Sequence, residues 1–224
     1  MFDFLDSGQY DLLGAFWVTV QLTLYSAVGS LVWGTVLAGM RVSPVPLMRG
    51  FGTAYVNLVR NIPLTVLIIG CSLGLNQTLG VTLGGGTFKD IGFRLAVLGF
   101  IAYTGTFVCE ALRSGINTVP VGQAEASRAL GMSFVQTLTL IVLPQAFRAV
   151  VAPLANVLIA LTKNTTVAAA IGVAEASLLM KEMVENEPQD LFAVFGIFAL
   201  GFVLLTLPTG LLLGWVAKRV AVKR

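Results

Sequence analysis

From Leu12 to Met40 the sequence carries no charged residue. An α-helix needs ~20 residues to cross the hydrocarbon core of a bilayer, so this run commits the chain to a membrane. The pattern recurs, with no charge from Asn61 to Phe88 or from Leu191 to Ala217. Over the whole chain 56% of residues are hydrophobic and 11% charged, against roughly a quarter charged in soluble domains. The runs do not alternate apolar with polar residues, as the strands of a membrane barrel would. The expected fold class is therefore an all-α integral membrane protein, one transmembrane domain over residues 1–224.

Five spans are expected, at about 12–40, 61–79, 93–111, 147–161 and 191–217. Ser30, Gly34 and Ala38 recur every fourth residue in the first, a small face that lets another helix approach closely. Arg41 to Gly52, with Pro44 and Pro46, reads as a loop. Pro63 falls in the first turns of the second span, where proline is tolerated, and glycines from Gly80 to Gly86 end that span near Leu79. Glu110 and Arg113 close the third span at i,i+3 spacing, a pairing distance on one helix face. Pro144 is expected to interrupt the apolar stretch that follows, leaving a short fourth span that ends at Lys163-Asn164-Thr165-Thr166. Glu175 to Asp190 reads as an acidic connector. In the last span Pro208 is an expected kink, and Gly210 and Gly214 an expected close-packing pair.

Charge sorts the ends of these spans. One side collects Arg41, Arg49, Arg113, Arg128, Arg148, Lys218, Arg219, Lys223 and Arg224. The other has only Lys89, Arg94 and Lys181, with Asp3, Asp6, Asp11 and most acids of the connector. Basic residues mark cytoplasmic loops, so the N-terminus is expected outside and the C-terminus in the cytoplasm. The acids of Met1-Phe2-Asp3-Phe4-Leu5-Asp6 do not fit the basic start of a cleavable signal.

Several function classes are disfavoured. Histidine is absent, and Cys71 and Cys109 sit in apolar runs without metal-site spacing, so no metal site is expected. A membrane-embedded enzyme would need a nucleophile–base pair or metal cluster in its spans, and none is legible. No phosphate loop of the G-x-x-x-x-G-K-[ST] type is present; Gly84-Gly85-Gly86 lies in the wrong context. An ATP-independent secondary transporter remains an alternative, although such proteins usually show internal repeats and more spans. Nothing points to nucleic acid as a partner; membrane lipid is the surrounding solvent.

The wettest organised stretch is Gly122-Gln123-Ala124-Glu125-Ala126-Ser127-Arg128-Ala129-Leu130-Gly131. Gln123 to Leu130 are fair helix formers, and Gly131 suits a C-terminal stop. Ala126 and Ala129 give a slim face flanked by Glu125 and Arg128, a shape that lies into a groove on another protein. A second fixed group, Ile141-Val142-Leu143-Pro144, follows nine residues after Gly131.

That joint spacing resembles the EAA loop of permease subunits in bacterial ABC importers: E-A-A, three residues, G, nine residues, I-x-L-P. Ser127 stands at the third position in place of alanine. Further segments resemble the polar amino-acid branch of these permeases, and the likeness covers about residues 55–175. They are Tyr55-Val56-Asn57-Leu58-Val59-Arg60-Asn61-Ile62-Pro63-Leu64, Glu110-Ala111-Leu112-Arg113-Ser114-Gly115-Ile116, Val119-Pro120-Val121-Gly122-Gln123, Leu143-Pro144-Gln145-Ala146-Phe147-Arg148 and Lys163-Asn164-Thr165-Thr166. Within the branch the chain looks like a glutamate-uptake permease of actinobacterial type, with aspartate or glutamine as related substrates.

The resemblance implies a multi-pass subunit of the bacterial cell membrane with the type I importer (MetI-like) fold and no catalysis of its own. It would pair with a second, identical or homologous permease, two ATPase subunits that bind ATP and magnesium, and an extracytoplasmic solute-binding protein. No cofactor is then expected in this chain. The coupling helix would be 122–131, with Gly122, Glu125, Ala126, Ser127, Arg128, Gly131 and Pro144 as coupling residues. Polar groups inside a membrane are costly and hence functional candidates, which puts Lys163, Asn164, Thr165, Thr166 and Glu110 on the substrate path. An unwound helix end at Lys163 would offer a cation and hydroxyls to an amino acid. Arg60, Pro63 and Arg113 are expected near the cytoplasmic face as gate or support residues.

Overall fold

A computed structural model describes residues 9–220. Asp3, Asp6, Lys223 and Arg224, which entered the charge count, lie outside the described residues, as do the remaining residues of the acidic Met1–Asp6 segment.

Eight helical elements follow one another among the described residues. Helix α1 is Leu12–Val42, opened by the Asp11 carboxylate, which accepts from the Gly14 amide at 2.8 Å. After a short bend α2 runs over Pro46–Arg60, and α3 over Leu64–Gly70 continues as a π-helix through Thr78. Helix α4 is Phe88–Ile116 and the short α5 is Val121–Ala129. A rod, α6, extends unbroken over Phe134–Ile171. Helix α7 is Ala176–Asn186, and α8 is Leu191–Val220.

α1, α4, α6 and α8 are each long and apolar enough to cross a membrane. The α2–α3 pair passes the same test only as a unit bent by 103°. Five crossings are thus available, and two of the expected spans differ in form. Arg41 to Gly52 reads as a loop in the sequence, but helix runs over Pro46–Arg60. The second span is not one helix over 61–79 but two pieces that meet at Asn61-Ile62-Pro63. Pro63 causes the break, because it lacks an N–H and pushes the residue before it out of helical geometry.

The fourth span differs in the opposite sense. Pro144 does not interrupt it, and the short 147–161 segment belongs to a rod of 38 residues. The turns before Pro144, Thr137–Val142, are π-helical; this shift in hydrogen-bond register accommodates a residue with no N–H. At the other end the rod tightens to a 3-10 helix over Thr165–Ile171 and stops at Gly172, with φ 75°.

The centre is the α1–α4 seam. Ser30, Gly34 and Ala38 are buried, and a side chain at Gly34 would come within 2.7 Å of the Gly105 carbonyl. Of the two glycines in α8, Gly210 lies against Ile159 of α6, whereas Gly214 has no neighbour within 4 Å. Leu22 of α1, Ile68 of α3, Ala96 and Phe100 of α4, and Leu161 and Ala168 of α6 close the main core. Arg41, Arg113, Arg128, Lys218 and Arg219 gather at one end of the bundle, called here the basic end; Lys89, Arg94 and α7 lie at the other.

Candidate functional site

At the basic end, α5 ends in a Schellman motif. The Met132 amide donates to the Ser127 carbonyl at 3.2 Å and the Gly131 amide to Arg128 at 2.9 Å. Gly131 takes φ 84°, a left-handed value that glycine adopts without strain. Glu125, Ala126, Arg128 and Ala129 are exposed, as are Gly122 and the flanking Val121 and Leu130.

Ser127 is the one buried residue of α5, at 5% exposure. Its Oγ donates to the Ala124 carbonyl at 2.8 Å and lies 2.9 Å from the Thr137 Oγ1, which leaves Thr137 as the donor to Ser127. Gln145 adds a second tie, donating to the Gln123 side chain and to the Ile141 carbonyl at 2.8 Å. Val119, Val142 and Ala146 fill the space beneath. The helix is thereby fastened to the π-helical foot of α6, with its opposite face open.

Glu110 was expected beside Arg113. Its nearer partner is Arg41, at the end of α1, with the Arg113 guanidinium 3.8 Å away. The Arg41 side chain is 7% exposed, so this ion cluster pins α1 to α4 under partial burial. Sequence reading missed Arg41 because it sits 69 residues from its partner.

The residues at 163–166 do not form an unwound end. Thr165 and Thr166 donate their hydroxyls to the carbonyls of Thr162 and Lys163, at 2.7 and 2.9 Å, so the helix satisfies them itself. Lys163 is exposed. Asn164 lines a cavity of about 250 Å³ with Tyr103, Thr104 and Phe107 of α4 and Asn156 of α6. The asparagines are eight residues apart on α6, hence on one face.

Arg60 is not near the basic end. α2 runs antiparallel to α1: Gly52 lies beside Met40 and Arg41, and Val56 packs with Leu37 and Cys109. Tyr55 stacks edge-on against Trp33 at 5.5 Å and donates to the Ala102 carbonyl at 3.2 Å. Beyond the break, Leu67, Ile68 and Cys71 face Gly99. Arg60 and Pro63 are therefore bracketed by contacts to Cys109 and Ala102 on one side and Gly99 on the other, along the middle stretch of α4. The expectation fails because Arg41 to Gly52 reads as a loop and no helix is foreseen over 46–60; a helix of that length climbs ~22 Å.

Glu175 was also missed as an individual residue. It is fully buried and caps α7, accepting from the amides of Ser177 and Leu178 at 2.9 and 3.0 Å. Thr19 of α1 contacts the same carboxylate and accepts from the Ala176 amide at 3.1 Å. Burial pushes the carboxyl up to about 7, although these hydrogen bonds oppose the shift. Among the described residues no group of three or more Cys, Asp or Glu is placed to hold a metal.

The family model described as "Binding-protein-dependent transport system inner membrane component" matches residues 30–222. The chain belongs to this family. The permease is 60% identical over 217 residues to the glutamate transport system permease protein GluC of Corynebacterium glutamicum, covering 95% of each chain. It is 61% identical to the protein of the same name from Corynebacterium efficiens, again over 95% of each. A solved "amino acid ABC transporter with histidines" superposes with a TM-score of 0.78 over 93% of both chains, at 24% identity. The permease thus has the fold of ABC importer membrane subunits, is a multi-pass inner-membrane component, and has transport subunits rather than enzymes as its relatives.

Proposed function

We propose that this permease is the membrane subunit of an importer for acidic amino acids, glutamate first, and that it receives its drive through α5. The observation that carries the coupling role is the fastening of Ser127 to Thr137 beneath an otherwise open helix face. A helix tied on one side to a transmembrane rod and bare on the other is built to take a push from a partner. Glu125 and Arg128 then meet an ATPase subunit, and Gly131 and Pro144 hold the shape of the junction. Glutamate as substrate is supported by the name of the two 60–61% identical relatives.

In this reading the whole chain is a single transmembrane domain, and the basic end faces the cytoplasm with the N-terminus outside. Two ATPase subunits bind ATP and magnesium; this chain carries no cofactor. A second permease, identical or homologous, completes the path, and a solute-binding protein delivers the amino acid. Asn164 and Lys163 lie along the path beside the cavity on α4, Thr165 and Thr166 shape that stretch of the rod, and the Glu110 cluster with Arg113 supports the inner end. Exchanging Glu125 for arginine should leave the permease folded in the membrane while the ATPase no longer co-purifies and uptake falls to background. Retention of both would refute the coupling role.

A further inference from the structure

The α2–α3 break leaves a cation level with the middle stretch of α4, one of the four long apolar helices. Arg60 ends α2 one turn beyond Val56, which packs against Leu37 and Cys109, and the chain then turns through 103°. Contacts on its two sides reach α4 from Cys109 and Ala102 before the break to Gly99 after it, a stretch that includes Ala102, the central residue of Phe88–Ile116. Arg60 is exposed and makes no ion pair or hydrogen bond among the described residues.

Its neighbours on the helix surface are polar too. Asn57 and Asn61 are exposed at i−3 and i+1, and the Asn61 amide donates to the Asn57 carbonyl at 2.6 Å. Leu58 and Ile62 are exposed there as well, but a guanidinium without an ion pair is unsuited to acyl chains, and charges within a membrane face water-filled cavities or partners of opposite sign. Arg41, at the basic end, has its carboxylate supplied by the chain itself. For Arg60 the described residues supply none. A guanidinium presents a planar fork of donors that matches a carboxylate.

We propose that Arg60, at the mid-membrane break, is a binding residue for a carboxylate of the amino acid in transit. The assignment rests on the permease reading above and adds a substrate contact to it. Discontinuous helices at the membrane midplane are a recurring way to place such contacts. Asn57 and Asn61 flank the guanidinium as further polar groups. The cavity beside Tyr103 and Asn164 begins one residue along α4 from the carbonyl that Tyr55 holds.

The test uses the complete transporter in proteoliposomes, with its ATPase and binding protein, and measures glutamate and glutamine uptake. Arg60→Gln should lower glutamate uptake at least tenfold while ATPase co-purification is unchanged, and Arg60→Lys should recover most of it. A loss confined to glutamate assigns the side-chain carboxylate; an equal loss for both substrates assigns the α-carboxylate. Wild-type uptake by Arg60→Gln would overturn the proposal. A second measurement covers the case in which the glutamine variant fails to assemble. With Cys71 and Cys109 replaced by serine, Arg60→Cys should react with the water-soluble reagent aminoethyl methanethiosulfonate, which restores a cation and with it uptake. Glutamate-loaded binding protein should slow that reaction. A thiol that reacts only with a lipid-soluble maleimide faces lipid, and this too would overturn the proposal. Failure here with Glu125→Arg still releasing the ATPase removes the Arg60 contact alone; failure of Glu125→Arg to release it removes the coupling role of α5 and leaves the Arg60 result to be judged by uptake.

Discussion

The two ends of the ion inventory at α4 differ in how their charge is satisfied. Near the basic end Arg41, Glu110 and Arg113 form an ion cluster, and Ser127 and Gln123 of α5 find partners in α6. Level with the middle stretch of α4, Arg60 of α2 stands beside a helix break and has no ion pair among the described residues. The first arrangement is what a structural joint requires, because a charge taken from water must be paired within the fold. The second is what a passage requires, because a site saturated by its own chain has nothing left for a substrate. The basic end is built to hold, and the break to receive.

The sharpest way to break this contrast is to delete each cation in turn. Arg41→Met leaves Glu110 with only its longer contact to Arg113 and should destabilise the permease by about 3 kcal/mol. Arg60→Met removes a charge that stabilises nothing and should leave the melting temperature of the detergent-solubilised protein unchanged or raised. Equal losses would show that Arg60 has a structural partner. Next in size is Glu175, at the opposite end. Its folded-state carboxyl titrates at about 7, above its ordinary 4.5. The folded protein therefore holds a proton that the unfolded chain releases, and this group's contribution is fully present below about pH 4.5. Stability should decline as pH rises through 7, by roughly 3 kcal/mol for this group, and Glu175→Gln should flatten the decline in a thermal-shift series. A rise in stability over that window would contradict the assignment.

The smallest effect sharpens the coupling side. Ser127→Ala and Thr137→Val should each cost about 1 kcal/mol, while the double variant costs no more than the larger single one. In the assembled transporter the same changes should lower amino acid moved per ATP hydrolysed more than they lower hydrolysis. Strict additivity in the stability cycle would mean the two hydroxyls do not interact.

How much of this was legible beforehand follows the same divide. The apolar runs located the crossings because hydropathy acts residue by residue. The spacing from Glu125 to Pro144 marked α5 because a short helix and its anchor are local in sequence. Ser127 drew notice as a departure from alanine, but not its bond to Thr137, since ten intervening residues hide the direction of both side chains. Arg60 was misplaced for a different reason. Pro44, Pro46 and Gly52 resembled a loop, whereas Pro46 at a helix start and Gly52 under Arg41 are both helix-compatible. Pro63 and Pro144 show the limit most plainly. One breaks a helix and the other is absorbed by a π-helical turn, and no local rule separates them.

The length of α6 has a mechanical corollary. At 38 residues it extends ~55 Å, so a tilt of ~5° about its foot would carry the far end ~5 Å. The foot is where Thr137 meets Ser127, and the far end is where Ala168 and Ile171 enter the main core with Ile68 of the broken helix. A small angular stroke delivered at α5 would therefore arrive as a wide displacement beside Arg60's own hairpin, with no moving part in between.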